Sequence, residues 1–198
     1  MYWAARRTGG RSGGPKLGLQ IKCYTLHWLG KRGMQWKELI PTFDEYLLTR
    51  PRSQVLLIQL GSNDLAILKS KELIELIRLD VLRLQVLFPE LILIWSEILP
   101  RCYWHFADNQ VLLENTRKRT NTAVKGIFKS DIGKGFIIRN PNILSKEISL
   151  YRYDGVHLSN VGNDAYLNNI KGALEAFDLS DTRIFPPEYI SRSKPRFF

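Results

Sequence analysis

Gln54-Val55-Leu56-Leu57-Ile58-Gln59-Leu60, followed at once by Gly61-Ser62-Asn63-Asp64, is the stretch on which the fold turns. A short apolar run rich in branched side chains, bounded by Pro51 and Gly61, is what a strand looks like when both of its faces are covered. Such strands belong to parallel sheets, whose crossovers need about a dozen residues each, usually as a helix. The sequence on either side provides them.

Downstream, Ile74, Ile77, Val81, Leu84 and Phe88 recur at steps of three and four, which predicts a helix that opens at Ser70 as N-cap and stops at Pro89. Leu91 to Trp95 reads as a second strand, Ala107 to Lys129 as a long amphipathic helix, and Gly135 to Arg139 as a short strand. Leu167, Ile170, Leu174 and Phe177 stripe a last helix. Upstream, Gln35 to Leu48 is helical, with Pro41 tolerable near a first turn. Leu19 to Trp28 mixes β-branched and aromatic residues and reads as a strand, with a turn at Gly33-Met34. Strand and helix signals therefore alternate, the pattern of an α/β sandwich around a mainly parallel sheet. The expected organisation is a remnant of a first helix plus a Gly-rich loop over 1–18, one α/β domain over 19–179, and a basic, Pro-containing tail over 180–198.

The totals agree with one soluble domain. A chain of 198 residues, 44% hydrophobic and 24% charged, has enough apolar side chain for one core and does not carry the composition of a disordered chain. Its longest apolar runs fall far short of the ~20 residues that span a bilayer. Cys23 and Cys102 are too few for a disulfide framework and sit at no metal-ligand spacing. Met1 to Ala5 is followed by Arg6-Arg7 in place of the apolar core of a signal peptide, so a cytoplasmic protein is expected. The formal charge of +10 attracts polyanions, and nucleic acid enters as a possible partner.

Two blocks could carry chemistry. Gly61-Ser62-Asn63-Asp64 leaves the buried strand, and Asp154-Gly155-Val156-His157-Leu158-Ser159 precedes the last helix. In an open α/β sheet, ligands bind beyond the carboxyl ends of the strands, where the first block falls. Acyl transfer needs a nucleophile, an oriented base and donors for the developing oxyanion. A carboxylate three residues before a histidine can hold one imidazole nitrogen and leave the other free as base, so Asp154 and His157 are candidates for that pair. Asn63 offers an amide N–H and the turn at Gly33 a backbone N–H, a candidate oxyanion hole. Each residue also has a structural reading. His157 also reads as a surface or capping residue, Asn63-Asp64 as a turn bonded to nearby backbone, Ser159 as the N-cap of the last helix, and Gly33 as needed only for its backbone. His27 and His105 suggest no more than structural roles.

The blocks taken in series resemble the SGNH (GDSL-type) hydrolase superfamily. Gly33 in WLGKRGMQW, Gly61-x-Asn63-Asp64 and Asp154-x-x-His157 follow the family's order and approximate spacing over Leu19 to Phe177. YWAARR, WLGKRGMQW, QLGSNDL, IWSEILPR and DGVHLSNVGNDAYL are further similar to SGNH-like domains of vertebrate, especially fish and amphibian, proteins associated with retroelements. The resemblance implies a three-layer α/β/α sandwich of flavodoxin-like type, oxyanion donors at Gly33 and Asn63, and a triad completed by Asp154 and His157. It implies a small ester as substrate, with no cofactor and no metal.

One departure is decisive for activity. The family's nucleophilic serine ends its first strand, and the matching position falls just upstream of Met1. The expectation is therefore a domain lacking the first strand and the nucleophile, inactive as it stands. Ser62, Ser96, Cys102 and Ser159 are the remaining hydroxyls and thiol near the blocks, and none sits in the Gly-x-Ser turn that would expose it. The competing expectation is a non-catalytic domain that binds nucleic acid or ribonucleoprotein through Arg6-Arg7, Lys31-Arg32, Arg117-Lys118-Arg119 and Arg192 to Arg196, although no known nucleic-acid motif is present.

Overall fold

Four strands run parallel and lie side by side in chain order: β1 Val55–Ile58, β2 Ile92–Ser96, β3 Phe136–Ile138 and β4 Ile184–Phe185. The computed structural model describes residues 16–19, 25–105, 107–130, 134–179 and 182–187. Between the strands come α1 Leu39–Thr49 and α2 Ser70–Leu87, then α3 Gln110–Lys129 and α4 Asn160–Leu179. Val55 pairs with Ile92 and Ile58 with Trp95; Ile94 pairs with Phe136, and Ile137 with Ile184.

Because successive side chains of a strand point to opposite faces, each strand feeds two cores. Leu56 and Ile58 of β1, Leu93 and Trp95 of β2 and Ile137 of β3 meet the buried stripes of α1, α2 and α3. Val55, Leu57, Ile94, Phe136 and Ile138 face the other way, onto Tyr166, Leu167, Ile170 and Ala173 of α4. The result is a three-layer α/β/α sandwich, the fold class expected. Burying one such Leu, Ile or Val side chain contributes about 1.5–3 kcal/mol, so two covered faces explain why the strands read as nearly continuous apolar runs.

Several local expectations shift. Ser70 is the first helical residue of α2, not its cap, which is Lys69. The buried stripe is Leu73, Ile77, Val81 and Leu84, with Leu73 replacing Ile74. Thr25 to Trp28 is not strand, and residues 20–24 lie outside the described residues. Half-buried Leu26 and Trp28 do alternate there with exposed Thr25 and His27, and alternation of burial does not by itself make a strand. Leu17, assigned to a loop, is fully buried in the core on the α4 side. Ile184 and Phe185, assigned to the tail, form β4; the ring of Phe185 packs over Gly172 of α4. Residues 1–15, including the Gly-rich stretch, and 188–198 lie outside the described residues.

Since all four strands are parallel, the loops after β1 and β2 leave the sheet at one edge. They carry Asn63 and Arg101.

Candidate functional site

The loop before α4 is closed on itself. Tyr151 and Leu158 form an antiparallel bridge, the Arg152 N–H donates to the His157 carbonyl at 2.8 Å, and the Gly155 N–H donates to the Arg152 carbonyl at 2.9 Å. Within it, Asp154 Oδ1 accepts the backbone N–H groups of Val156 and His157, each at 2.9 Å, while Oδ2 lies 2.8 Å from His157 Nδ1. Partial burial raises the Asp154 pKa, but the N–H groups of His157 and Val156 and the His157 ring outweigh it, and the carboxyl titrates at about 2. It is ionised at neutral pH. The imidazole is two-thirds exposed, and Nε2 is left for another partner. Ser159 follows the structural reading: its Oγ accepts the Gly162 N–H at 3.2 Å, capping α4.

The loop after β1 is tied to distant backbone. Asn63 Nδ2 donates to the Met34 carbonyl at 3.0 Å, and both carboxylate oxygens of buried Asp64 accept the Trp36 N–H at 3.1 Å. The alternative reading of a turn bonded only to nearby backbone does not describe these side chains, whose backbone partners include groups 28 and 29 residues away. Burial raises the Asp64 pKa, and the Trp36 N–H opposes that shift. These bonds dock the turn at Gly33 against Asn63. Gly33 has φ +71°, and nothing lies within 4 Å of where a Cβ would be, so the left-handed backbone alone calls for glycine.

A residue not singled out from the sequence joins the two blocks. Arg101, in the loop after β2, donates through Nη2 to Ser62 Oγ and, at 3.0 Å, to Asn63 Oδ1. Its guanidinium lies 4.7 Å over the Trp104 ring. The next residues reach the other block: the N–H groups of Cys102 and Tyr103 donate to the Gly155 carbonyl at 2.8 and 3.3 Å, and Tyr151 Oη donates to the Pro100 carbonyl at 3.0 Å. Gly33, Asn63, Asp154 and His157 are thus joined at one edge by a continuous chain of contacts through 100–103. Arg101 was legible only as part of the phrase IWSEILPR, and its placement after a buried strand was the available signal. His105, read as structural, lies with Nε2 3.2 Å from the Asp154 carbonyl oxygen.

The other hydroxyls and the thiol are engaged elsewhere or poorly activated. Ser96 is buried with its Oγ 2.9 Å from Tyr166 Oη, Ser62 is held by Arg101, and burial pushes the Cys102 thiol up. Among the described residues no hydroxyl is within hydrogen-bond distance of the His157 ring. No cluster of three His, Cys, Asp or Glu side chains suited to a metal occurs among them either, and no described helix is long and apolar enough to cross a membrane. A depression of about 520 Å³ lined by Glu97, Thr122, Lys125, Gly126, Lys129 and Arg139 includes none of the candidate residues.

With this architecture in hand, the likeness to known structures is plain. Esterases share this fold. A Streptococcus pneumonia protein provisionally named a platelet activating factor superposes with a TM-score of 0.66 and 18% identity, over 81% of this chain and 77% of that one. The Clostridium thermocellum family 3 carbohydrate esterase gives 0.59 and 16%, over 90% and 86%. A family 3 carbohydrate esterase from Talaromyces cellulolyticus gives 0.56 and 18%, over 72% and 67%. No protein-family model matches the sequence, and no curated protein matches it in sequence.

Of the basic clusters, Arg6-Arg7 and Arg192 to Arg196 lie outside the described residues. Arg117 is paired with Glu114 and also donates to the Ile98 carbonyl at 2.7 Å, and Lys31 is paired with Glu38. Arg117 and Lys31 are thus engaged locally within the fold.

Proposed function

We propose that this domain is an esterase of the serine–histidine–aspartate kind, acting on carboxylic esters such as acetyl groups on a carbohydrate or lipid. The observation that carries the reading is the 2.8 Å contact of Asp154 Oδ2 with His157 Nδ1, at the sheet edge that also holds Asn63. An ionised Asp154 fixes the ring with its proton on Nδ1, so Nε2 is the basic nitrogen. A serine hydroxyl attacking an ester carbonyl gives its proton to Nε2. The tetrahedral oxyanion then accepts N–H from Asn63 Nδ2, whose second hydrogen is not needed by Met34, and from the Gly33 backbone. Collapse expels the alcohol, which takes the proton back from His157, and water repeats the sequence on the acyl-enzyme.

In this reading the nucleophile is a serine that residues 1–198 do not supply, and these residues alone hydrolyse esters poorly. Loss of the nucleophile in a triad enzyme costs on the order of a million-fold, leaving about 10³ to 10⁴ over water from the oxyanion hole and binding. The test compares p-nitrophenyl acetate hydrolysis by the 198-residue chain, by the chain extended upstream with a strand ending in Gly-x-Ser, and by the extended chain carrying His157→Ala. Turnover is expected in the second alone. Equal activity of the short and extended chains, or activity that survives His157→Ala, overturns the assignment.

A further inference from the structure

Arg101 combines features that its structural contacts do not use up. Its side chain is half-buried, and burial, the largest influence, lowers its pKa; the field of Asp154 acts the other way. A cation withdrawn from water is stable when an anion or a full set of acceptors replaces the lost hydration. Yet both hydrogen bonds of the guanidinium go to neutral oxygens, the Ser62 hydroxyl and the Asn63 amide, and both leave from Nη2. Among the described residues no carboxylate comes within 4.0 Å of it, and Nε and Nη1 have no partner. Asp154, the anion whose field it feels, is committed to two backbone N–H groups and the His157 ring. Trp104 beneath the guanidinium plane and the two Nη2 bonds fix its orientation, so the remaining donors are held in place before any ligand arrives.

We propose that Arg101 makes this edge an anion-binding subsite, and that the ester substrate carries a carboxylate-type, singly charged oxygen group near its scissile bond. The proposal rests on the esterase reading for the word substrate; the anion site itself stands on the contacts of Arg101. A single guanidinium with Nε–H and Nη1–H donors to spare, and no second cation among its contacts, matches one negative charge better than the two of a phosphate monoester. The subsite also explains why the Asn63 amide is held by its oxygen: a ligand on Arg101 sits beside the Nδ2 group that the oxyanion would use.

The test is an NMR titration of the ¹⁵N-labelled 198-residue chain with sodium acetate at constant ionic strength, read on the Asn63 side-chain amide. Acetamide serves as the neutral match and inorganic phosphate as the alternative anion. Acetate is expected to shift the Asn63 resonances saturably, with acetamide and phosphate each binding at least tenfold more weakly. Arg101→Gln is expected to weaken acetate at least tenfold. Arg101→Lys keeps the charge without the planar fork, so it should retain the preference for acetate over acetamide while moving the Asn63 amide resonance of the free protein. Equal shifts with acetate and acetamide, tighter binding of phosphate, unchanged acetate affinity in Arg101→Gln, or loss of the preference in Arg101→Lys overturns the proposal. The two readings fail separately. Turnover in the extended chain with no Arg101-dependent acetate binding leaves the esterase without the subsite, and Arg101-dependent binding without turnover leaves the subsite without the esterase.

Discussion

Gly162 of α4 rests against the carbonyl of Leu150 so closely that a Cβ at residue 162 would lie 2.1 Å from that oxygen. The carbonyl cannot simply swing away, because it accepts the Ser159 N–H at 2.8 Å. This approach closes the loop that presents Asp154 and His157. Gly162→Ala is therefore expected to cost about 3 kcal/mol, the upper end of ordinary overpacking, and to broaden the His157 ring resonances. Gly126 of α3 is the matched control, since nothing lies within 4 Å of its Cβ position; Gly126→Ala should stabilise by about 0.5–1 kcal/mol. Urea denaturation of the two variants checks both signs.

Asp154 makes stability depend on pH in the acid range. Its folded pKa of about 2 lies below the model-peptide value of about 3.9. The folded state therefore favours the ionised carboxylate, and the stabilisation is complete above pH ~4 and lost as the pH falls towards ~2. Asp154→Asn should lower the melting temperature at pH 6, and the gap from the unaltered protein should close steadily between pH 4 and pH 2. A gap that stays constant over that window would mean that Asp154 stabilises through shape and not through charge.

The loop that carries Arg101 is anchored by a reciprocal pair. Asn121 Oδ1 accepts the Ile98 N–H at 2.9 Å and Asn121 Nδ2 donates to the Ile98 carbonyl at 3.0 Å, both buried. Arg117 also donates to that carbonyl, so Asn121→Ala orphans chiefly the N–H. The expected cost is about 1–3 kcal/mol, with amide exchange at Ile98 faster relative to the amides of β2. Unchanged protection at Ile98 would show that the loop is held by other contacts.

Tyr166 is fully buried with its hydroxyl 2.9 Å from Ser96 Oγ, and burial holds its pKa far above the ordinary phenol range. Asn140 Nδ2 donates to the same serine at 3.4 Å. Tyr166→Phe should therefore cost only about 1 kcal/mol, because Ser96 keeps one partner. Ser96→Ala leaves the phenol hydroxyl unpaired in the core and should cost about 1–3 kcal/mol. Thermal unfolding of the two variants gives the order.

Much of this protein was determined by local sequence. The apolar run at Val55–Ile58 and the stripes of Ile77, Val81 and Leu84 or Leu167 and Ile170 read correctly because one strand or helix sets its own period, whichever face it finally buries. The Asp154–His157 contact was legible for the same reason, since it closes within four residues of chain. What the sequence left open depended on partners brought close only by folding. Thr25 to Trp28 has a strand's alternation yet is not a strand, and Ile184 and Phe185 have little pattern yet pair with β3. Asp64 reaches the Trp36 N–H, and Arg101 reaches Ser62 and Asn63 from 39 and 38 residues away. A hydrogen bond or a ladder needs two groups within about 3 Å, and only the packing of helices on both faces of the sheet decides which distant groups meet at its edge.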